Sequence, residues 1–235
     1  MEIHAIAHAY NGFSSKFGIP RQSGRAKSVL TRIVFEPDYR VEEALRGIEQ
    51  WSHLWLIWGF SEVESKRSQT EWTPTVRPPR LGGNKRVGVF ATRSPFRPNN
   101  LGLSSVELVR VEKTQTEGVV LWVSGADLMS GTPIFDIKPY LPYTDIHTEA
   151  TCGFASLHTD YRLEVRFPDG LSHRLDEQTL AELKEILAED PRPQYHSDAN
   201  RIYNFEYSGY HISFRVENNT LVVVEVQMKG DKVKG

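Results

Sequence analysis

Strand-like stretches follow one another through the first two thirds of the chain with almost no helical pattern between them, and this most restricts what it can fold into. Thr31 to Glu36 alternates Ile33 and Phe35 with Arg32 and Val34, and Trp51 to Phe60 is aromatic and apolar, as a strand buried on both faces is. Arg86 to Thr92, Leu103 to Val111 and Gly118 to Ser124 are further strand candidates, and Ile134 to Ile137 is extended after a turn-rich break at Asp127 to Thr132. Only Val41 to Gln50 reads as helical here. Many strands with few helices point to a barrel or closed sheet.

The pattern changes after Asp145. His147 to Asp160 is small, polar and weakly patterned, as a linker is. Asp176 to Glu189 reads as a helix, with Leu180, Leu183 and Leu187 at helical spacing, Asp176 as cap and Pro191 limiting the end. Three strands follow, turned by Ser208-Gly209 and Asn218-Asn219, and the tail from Lys229 to Gly235 reads as disordered. The expected organisation is mainly β: a small barrel over residues 1–147 and a small α+β domain over 148–235.

With 39% hydrophobic and 25% charged residues the chain is globular in composition. No apolar run approaches the ~20 residues of a membrane span, and residues 1–10 lack a basic region followed by an apolar stretch. Cys152 is the single cysteine, so an internal disulfide is excluded and a cysteine-ligated metal site is not expected. The expectation is a cytoplasmic protein with no membrane and no metal. GxxxxGK[ST], GxGxxG, GxSxG and HExxH are all absent.

Three segments look chemical. Val76 to Gly102, VRPPRLGGNKRVGVFATRSPFRPNNLG, is stiffened by prolines and carries Arg77, Arg80, Lys85, Arg86, Arg93 and Arg97 without an acidic residue. A net charge of −2 does not oppose RNA binding by such a local basic surface, because screening limits how far distant acids act. The alternative is a long solvated loop with surface arginines. Asp127 to Asp145 places Asp136, Lys138, Tyr140, Tyr143 and Asp145 between apolar or Pro residues, as a pocket wall or as a protected edge strand with an Asp136–Lys138 pair. Ile19 to Arg25, IPRQSGR, is a turn with two arginines and carries little by itself.

Taken together, IPRQSG, WSHLWLIWGF, RPPRLGGNKRVGVFATRSPFRPNNLGLSSVEL, GTPIFDIKPYLPY and DPRPQY stand in the order found in the TsaA-like (TrmO, YaeB) family, which the chain resembles over nearly its whole length. The resemblance implies a barrel-type methyltransferase domain, a small C-terminal domain, S-adenosylmethionine as cofactor and a homodimer with cofactor sites near the interface. The implied activity is methylation of N6 of threonylcarbamoyladenosine in the anticodon loop of a threonine tRNA. Carried over position by position, the cofactor pocket falls on Ser23, Gly24, Arg25, Ser61, Glu62, Arg93, Leu103 and Gly131, Thr132, Pro133 and Ile134. Ser23 stands where many members have Pro, and Asn99-Asn100-Leu101-Gly102 where many have NPIG.

Physically, Arg93 or Arg25 suits the methionine carboxylate of such a cofactor. Glu62 or carbonyls near Gly131 suit its ammonium and sulfonium, and Leu103 and Ile134 suit its adenine. Asp136 is the candidate base, with Lys138 or Tyr140 orienting the substrate, and Phe96, Tyr140 or Tyr143 can receive an unstacked base. Arg77, Arg80, Lys85, Arg86 and Arg97 are the candidate RNA contacts. Two other readings are a methyltransferase of another RNA or small substrate, and a non-enzymatic RNA-binding barrel.

Overall fold

A computed structural model describes residues 2–60, 72–78, 84–158, 161–168, 170–192, 198 and 200–230. Ser61, Glu62, Arg80 and most of the expected tail lie outside the described residues.

The strands are β1 (Ala7–Tyr10), β2 (Leu30–Phe35), β3 (His53–Gly59), β4 (Thr75–Val76), β5 (Val87–Gly88), β6 (Leu101–Thr114), β7 (Gly118–Ser124), β8 (Thr132–Pro139), β9 (Glu164–Arg166), β10 (Tyr203–Tyr207), β11 (Tyr210–Glu217) and β12 (Thr220–Met228). The helices are α1 (Pro142–Asp145), one turn, and α2 (Glu177–Ala188). Six strands close into a barrel in the order β1-β2-β7-β6-β3-β8, with every neighbouring pair antiparallel. Closure leaves no unpaired edge in this sheet.

Alternate side chains enter the barrel and fill it: Ala7, Ala9, Ile33, Phe35, Leu54, Leu56, Trp58, Val106, Leu121, Val123 and Ile134 are all buried. β3 therefore has one buried face and one partly exposed face instead of the two buried faces its sequence suggests. Val41 to Gln50 is not an α-helix but two short 3₁₀ turns, Glu42–Leu45 and Ile48–Gln50, interrupted by Gly47 at φ 85°. Arg86 to Thr92 is strand only at β5 and then winds into the 3₁₀ turn Val89–Ala91.

The second sheet has the order β10-β11-β12-β9, with β9 parallel to β12. Helix α2 packs Leu183, Ile186 and Leu187 into the core beside Phe205, Ile212, Phe214, Leu221 and Val223. Asp176 caps α2, accepting from the Thr179 amide at 2.8 Å and its hydroxyl at 2.6 Å. Buried Glu182 is satisfied by the Tyr207 hydroxyl at 2.8 Å and the Gln178 amide at 3.0 Å.

The segment between β1 and β2 joins the two units. Phe13, Ala26 and Val29 are buried in the second core, with Phe17 and Ile19 packed against it. Phe13 bridges to Tyr207, and the Ser208 amide donates to the Gly12 carbonyl at 3.0 Å. A Cβ at Gly12 would stand 2.7 Å from the Tyr207 ring, so this crossing needs glycine.

Candidate active site

Antiparallel order puts the end of β1, the start of β2, the end of β3, the start of β6, the end of β7 and the start of β8 at one mouth of the barrel. The connections there are residues 11–29, 60–100 and 125–131. The Ile19–Arg25 turn, the connection that carries Arg93 and the start of the Asp127–Asp145 segment therefore reach the same mouth, although they are far apart in sequence, while β8 carries Asp136, Lys138, Tyr140 and Asp145 away from it toward the opposite end of the barrel.

They are tied together by hydrogen bonds. The Gly24 amide donates to the Gly125 carbonyl at 2.8 Å, Ser130 N–H to Phe13 at 2.9 Å and Gly131 N–H to Ala9 at 2.7 Å. Asn11 donates to Thr31 Oγ1 at 3.2 Å and to the Leu128 carbonyl at 2.9 Å, and accepts from Phe13 N–H. Arg93, exposed, reaches across from the 60–100 connection to Gln22 Oε1.

Asp127 sits at the centre of this mouth. It accepts from Ser104 Oγ at 2.5 Å, and Ser104 accepts from Trp58 Nε1 at 2.9 Å. The Trp58 indole reaches Ser104 because Gly102 has no side chain: a Cβ there would come within 2.3 Å of the ring. Burial pushes the Asp127 carboxyl above its ordinary value, opposed by the Ser104 hydroxyl, the nearby Arg93 charge and the Ser23 amide. Neither Asp127 nor Ser104 stands out in the sequence; their meeting depends on the register of β6 against β3 and β7.

The cofactor candidates divide by position. Ser23, Gly24 and Arg93 are at the mouth beside Asp127. Gly24, at φ 77°, and Gly131, at φ 85°, have open space where a Cβ would stand, so the mouth has room against backbone at both. Arg25 turns toward the second domain, bonding Glu189 Oε2 at 2.9 Å, while Arg162 holds the other oxygen at 3.1 Å. Thr132 and Ile134 are buried in the barrel wall. Pro133 is half-buried, and Leu103 is 56% exposed.

Leu103 pairs with Ile57, and Ile57 pairs on its other side with Asp136. These three stand in a row on the outer wall of the barrel, which places Leu103 and Asp136 about 10 Å apart, two strand spacings. Asp136 accepts from Ile137 N–H at 2.9 Å and pairs with Lys138 at 2.9 Å. Tyr140 packs on Trp55 with ring centroids 5.4 Å apart, and the Trp55 indole donates to Asp145 at 2.8 Å. That bond and the Leu141 amide hold the Asp145 carboxyl below its ordinary value. Tyr143 is 85% exposed.

Of the RNA candidates, Arg77, Lys85 and Arg86 are exposed, with Arg86 donating to Thr75 Oγ1 at 2.9 Å. Arg97 is half-buried and donates to the carbonyls of Thr92 at 2.7 Å and Val89 at 3.3 Å. Among the described residues no three His, Cys, Asp or Glu side chains gather as a metal site, and no helix is long and apolar enough to cross a membrane.

Comparison with known proteins fits both units. The chain is 38% identical over 213 residues to a tRNA (adenine(37)-N6)-methyltransferase of Escherichia coli strain K12, covering 87% of this chain and 88% of that one. It is 43% identical over 178 residues to an Eikenella corrodens protein of the same name, covering 75% and 97%. A Pseudomonas aeruginosa relative named as a putative S-adenosylmethionine-dependent methyltransferase is 38% identical over 199 residues, covering 82% of each chain. A crystal structure of TrmO from Pseudomonas aeruginosa superposes with a TM-score of 0.76 at 29% identity, covering 97% of this chain and 98% of that one. The tRNA-methyltransferase O N-terminal domain matches residues 8–146 and the TrmO C-terminal domain matches residues 160–229, so the chain belongs to the tRNA-methyltransferase O family.

Proposed function

We propose that this chain methylates N6 of adenine 37 in tRNA with S-adenosylmethionine, and that its substrate is threonylcarbamoyladenosine beside the anticodon of a threonine tRNA, in the cytoplasm. The observation that carries this reading is the convergence of three sequence-distant loops on one barrel mouth, in a chain whose two units both match the family.

The groups at the mouth suit the cofactor. Arg93 can pair with a carboxylate, and Asp127 with carbonyls near Gly131 can accept from an ammonium. The open space at Gly24 and Gly131 admits a ligand against the backbone. Leu103 offers apolar surface to an adenine; Thr132 and Ile134 support the wall from inside. Ser61 and Glu62 complete the set by sequence, and Arg25 braces the Ser23-Gly24 turn through Glu189. Bound S-adenosylmethionine supplies an electrophilic methyl group, and the protein's part is to position and desolvate. The target nitrogen belongs to a urea-like group whose lone pair is delocalised, so removal of its proton assists attack. Asp136 takes that proton, with Lys138 orienting the substrate. Arg77, Arg80, Lys85, Arg86 and Arg97 contact RNA phosphates.

The same reading includes a homodimer. Leu101, 38% exposed, and Leu103, 56% exposed, lie on one outward face with Ile57, an apolar wall a second copy would cover. Calorimetry with S-adenosylmethionine and transfer of a labelled methyl to anticodon stem-loops with and without the threonylcarbamoyl group test the activity. Transfer to the modified loop is expected. Absence of cofactor binding would overturn the reading, and equal transfer to unmodified adenine would favour a broader RNA methyltransferase.

A further inference from the structure

The ribbon of β4 and β5 carries an aromatic pair that the site above does not use. Thr75 pairs with Gly88 and Val76 with Val87, and the Val89 amide donates to the Pro74 carbonyl at 2.9 Å. Beyond the paired residues the chain winds into the 3₁₀ turn Val89–Ala91, and Trp72 comes beside Phe90 there, with ring centroids 5.8 Å apart and 36° between the planes. Both are exposed, Trp72 by 43% and Phe90 by 69%. Leaving two large rings in water is unfavourable unless something covers them.

The pair is held in place. Val89, one residue before Phe90, is buried, and the Thr92 amide and hydroxyl both bond its carbonyl, at 3.1 and 2.8 Å. Arg97 donates to the carbonyls of Val89 and Thr92 while its guanidinium stands 5.6 Å from the centre of the Phe90 ring. The side chain that locks the turn also flanks the ring with a cation. Arg77, Lys85 and Arg86, at the other end of the ribbon, are exposed, and the sequence from Trp72 to Val106 contains no Asp or Glu, although Glu71 immediately precedes it.

From these contacts we infer that Trp72 and Phe90 form a stacking platform for one unpaired base of the RNA substrate. The inference rests on the RNA reading above and adds where an unstacked base lands. Flat faces flanked by the Arg97 guanidinium, on a ribbon that carries further exposed cations, match a ligand that carries π-faces on an anionic backbone, which is single-stranded nucleic acid. Duplex RNA keeps its base faces stacked and does not present them. An apolar protein partner would not call for a guanidinium held against the ring.

The test uses the full chain and an anticodon stem-loop RNA with 2-aminopurine placed at successive loop positions. Wild type should quench one position on binding. Trp72→Ala and Phe90→Ala should each relieve that quenching and weaken stem-loop binding by about 5- to 100-fold, the range set by loss of one base–aromatic stack. Phe90→Tyr should keep the quenching, while Phe90→Leu, which keeps apolar volume, should lose it. Binding of a blunt duplex and calorimetric binding of S-adenosylmethionine should not change. Equal quenching and affinity in all variants would overturn the platform and leave the RNA reading standing. A change of oligomeric mass in Phe90→Ala would assign the pair to a subunit interface and overturn it too. A wild type that neither binds the stem-loop nor methylates it would remove the functional reading and the platform together.

Discussion

The Ser104 hydroxyl donates to Asp127 at 2.5 Å across the barrel mouth, so a strand residue fixes the carboxyl around which three loops assemble. Burial raises the Asp127 carboxyl above its ordinary value, so the folded chain binds this proton more tightly than the unfolded chain. The sign then follows: stability falls as pH rises from about 4, the unfolded carboxylate value, through the raised value, and the loss persists above it. Asp176 and Asp190 have lowered carboxyls and act oppositely, losing stability as pH falls below that range. We predict that Asp127→Asn, measured by urea midpoints across pH, removes the fall and leaves the acid limb intact. Parallel curves for variant and wild type would show that desolvation of Asp127 does not govern the slope.

Arg93→Ala is expected to weaken S-adenosylmethionine binding by about 1.5–3 kcal/mol, the worth of a charge-assisted contact. Arg25→Ala should cost less affinity, because Arg25 acts through Glu189. Calorimetry on folded variants checks both, and unchanged affinity in Arg93→Ala removes that residue from the pocket.

If Asp136 takes the proton, Asp136→Asn should lower kcat by roughly 10²- to 10⁴-fold with cofactor affinity unchanged. The pH–rate profile should lose its acid limb. If Asp136 serves only to hold Lys138, 2.9 Å away, then Lys138→Ala should reproduce the Asp136→Asn rates and the acid limb should survive.

Arg77, Lys85 and Arg86 are exposed, and neutralising any one should reduce the slope of log K against log salt by about 0.7–0.9. Arg97→Ala should do more than remove a charge, since Arg97 also bonds Val89 and Thr92. Filter binding of tRNA at several salt concentrations measures each slope. A wild type with no salt dependence would remove the phosphate contacts.

Alternation along β2 and the Val- and Leu-rich runs of β6 and β7 are strong enough for their strands and the barrel to be read directly. β1 is not legible, because Ala-His-Ala-Tyr puts two alanines on the inner face and lacks the bulky residues that mark strands. β9, only three residues long, is specified by its parallel partner β12. Val41 to Gln50 has helical composition, but Gly47 in a left-handed conformation breaks the winding. Prolines and glycines mark the three loops, and the barrel alone decides that they meet. The Arg25–Glu189 pair lies beyond local pattern in the same way: its partners are 164 residues apart and meet only when the second core receives the β1–β2 segment.

That shared segment changes what it means to separate the two units. Phe13, Ala26 and Val29 spend their side chains in the second core while Ser23 and Gly24, between them in the chain, face the barrel mouth. A cut after residue 147 would leave the loop with its anchors exposed to water, including a phenylalanine whose burial is worth several kcal/mol. The C-terminal unit thus acts as a clamp behind the β1–β2 loop, and its deletion would loosen the Ser23-Gly24 turn from behind.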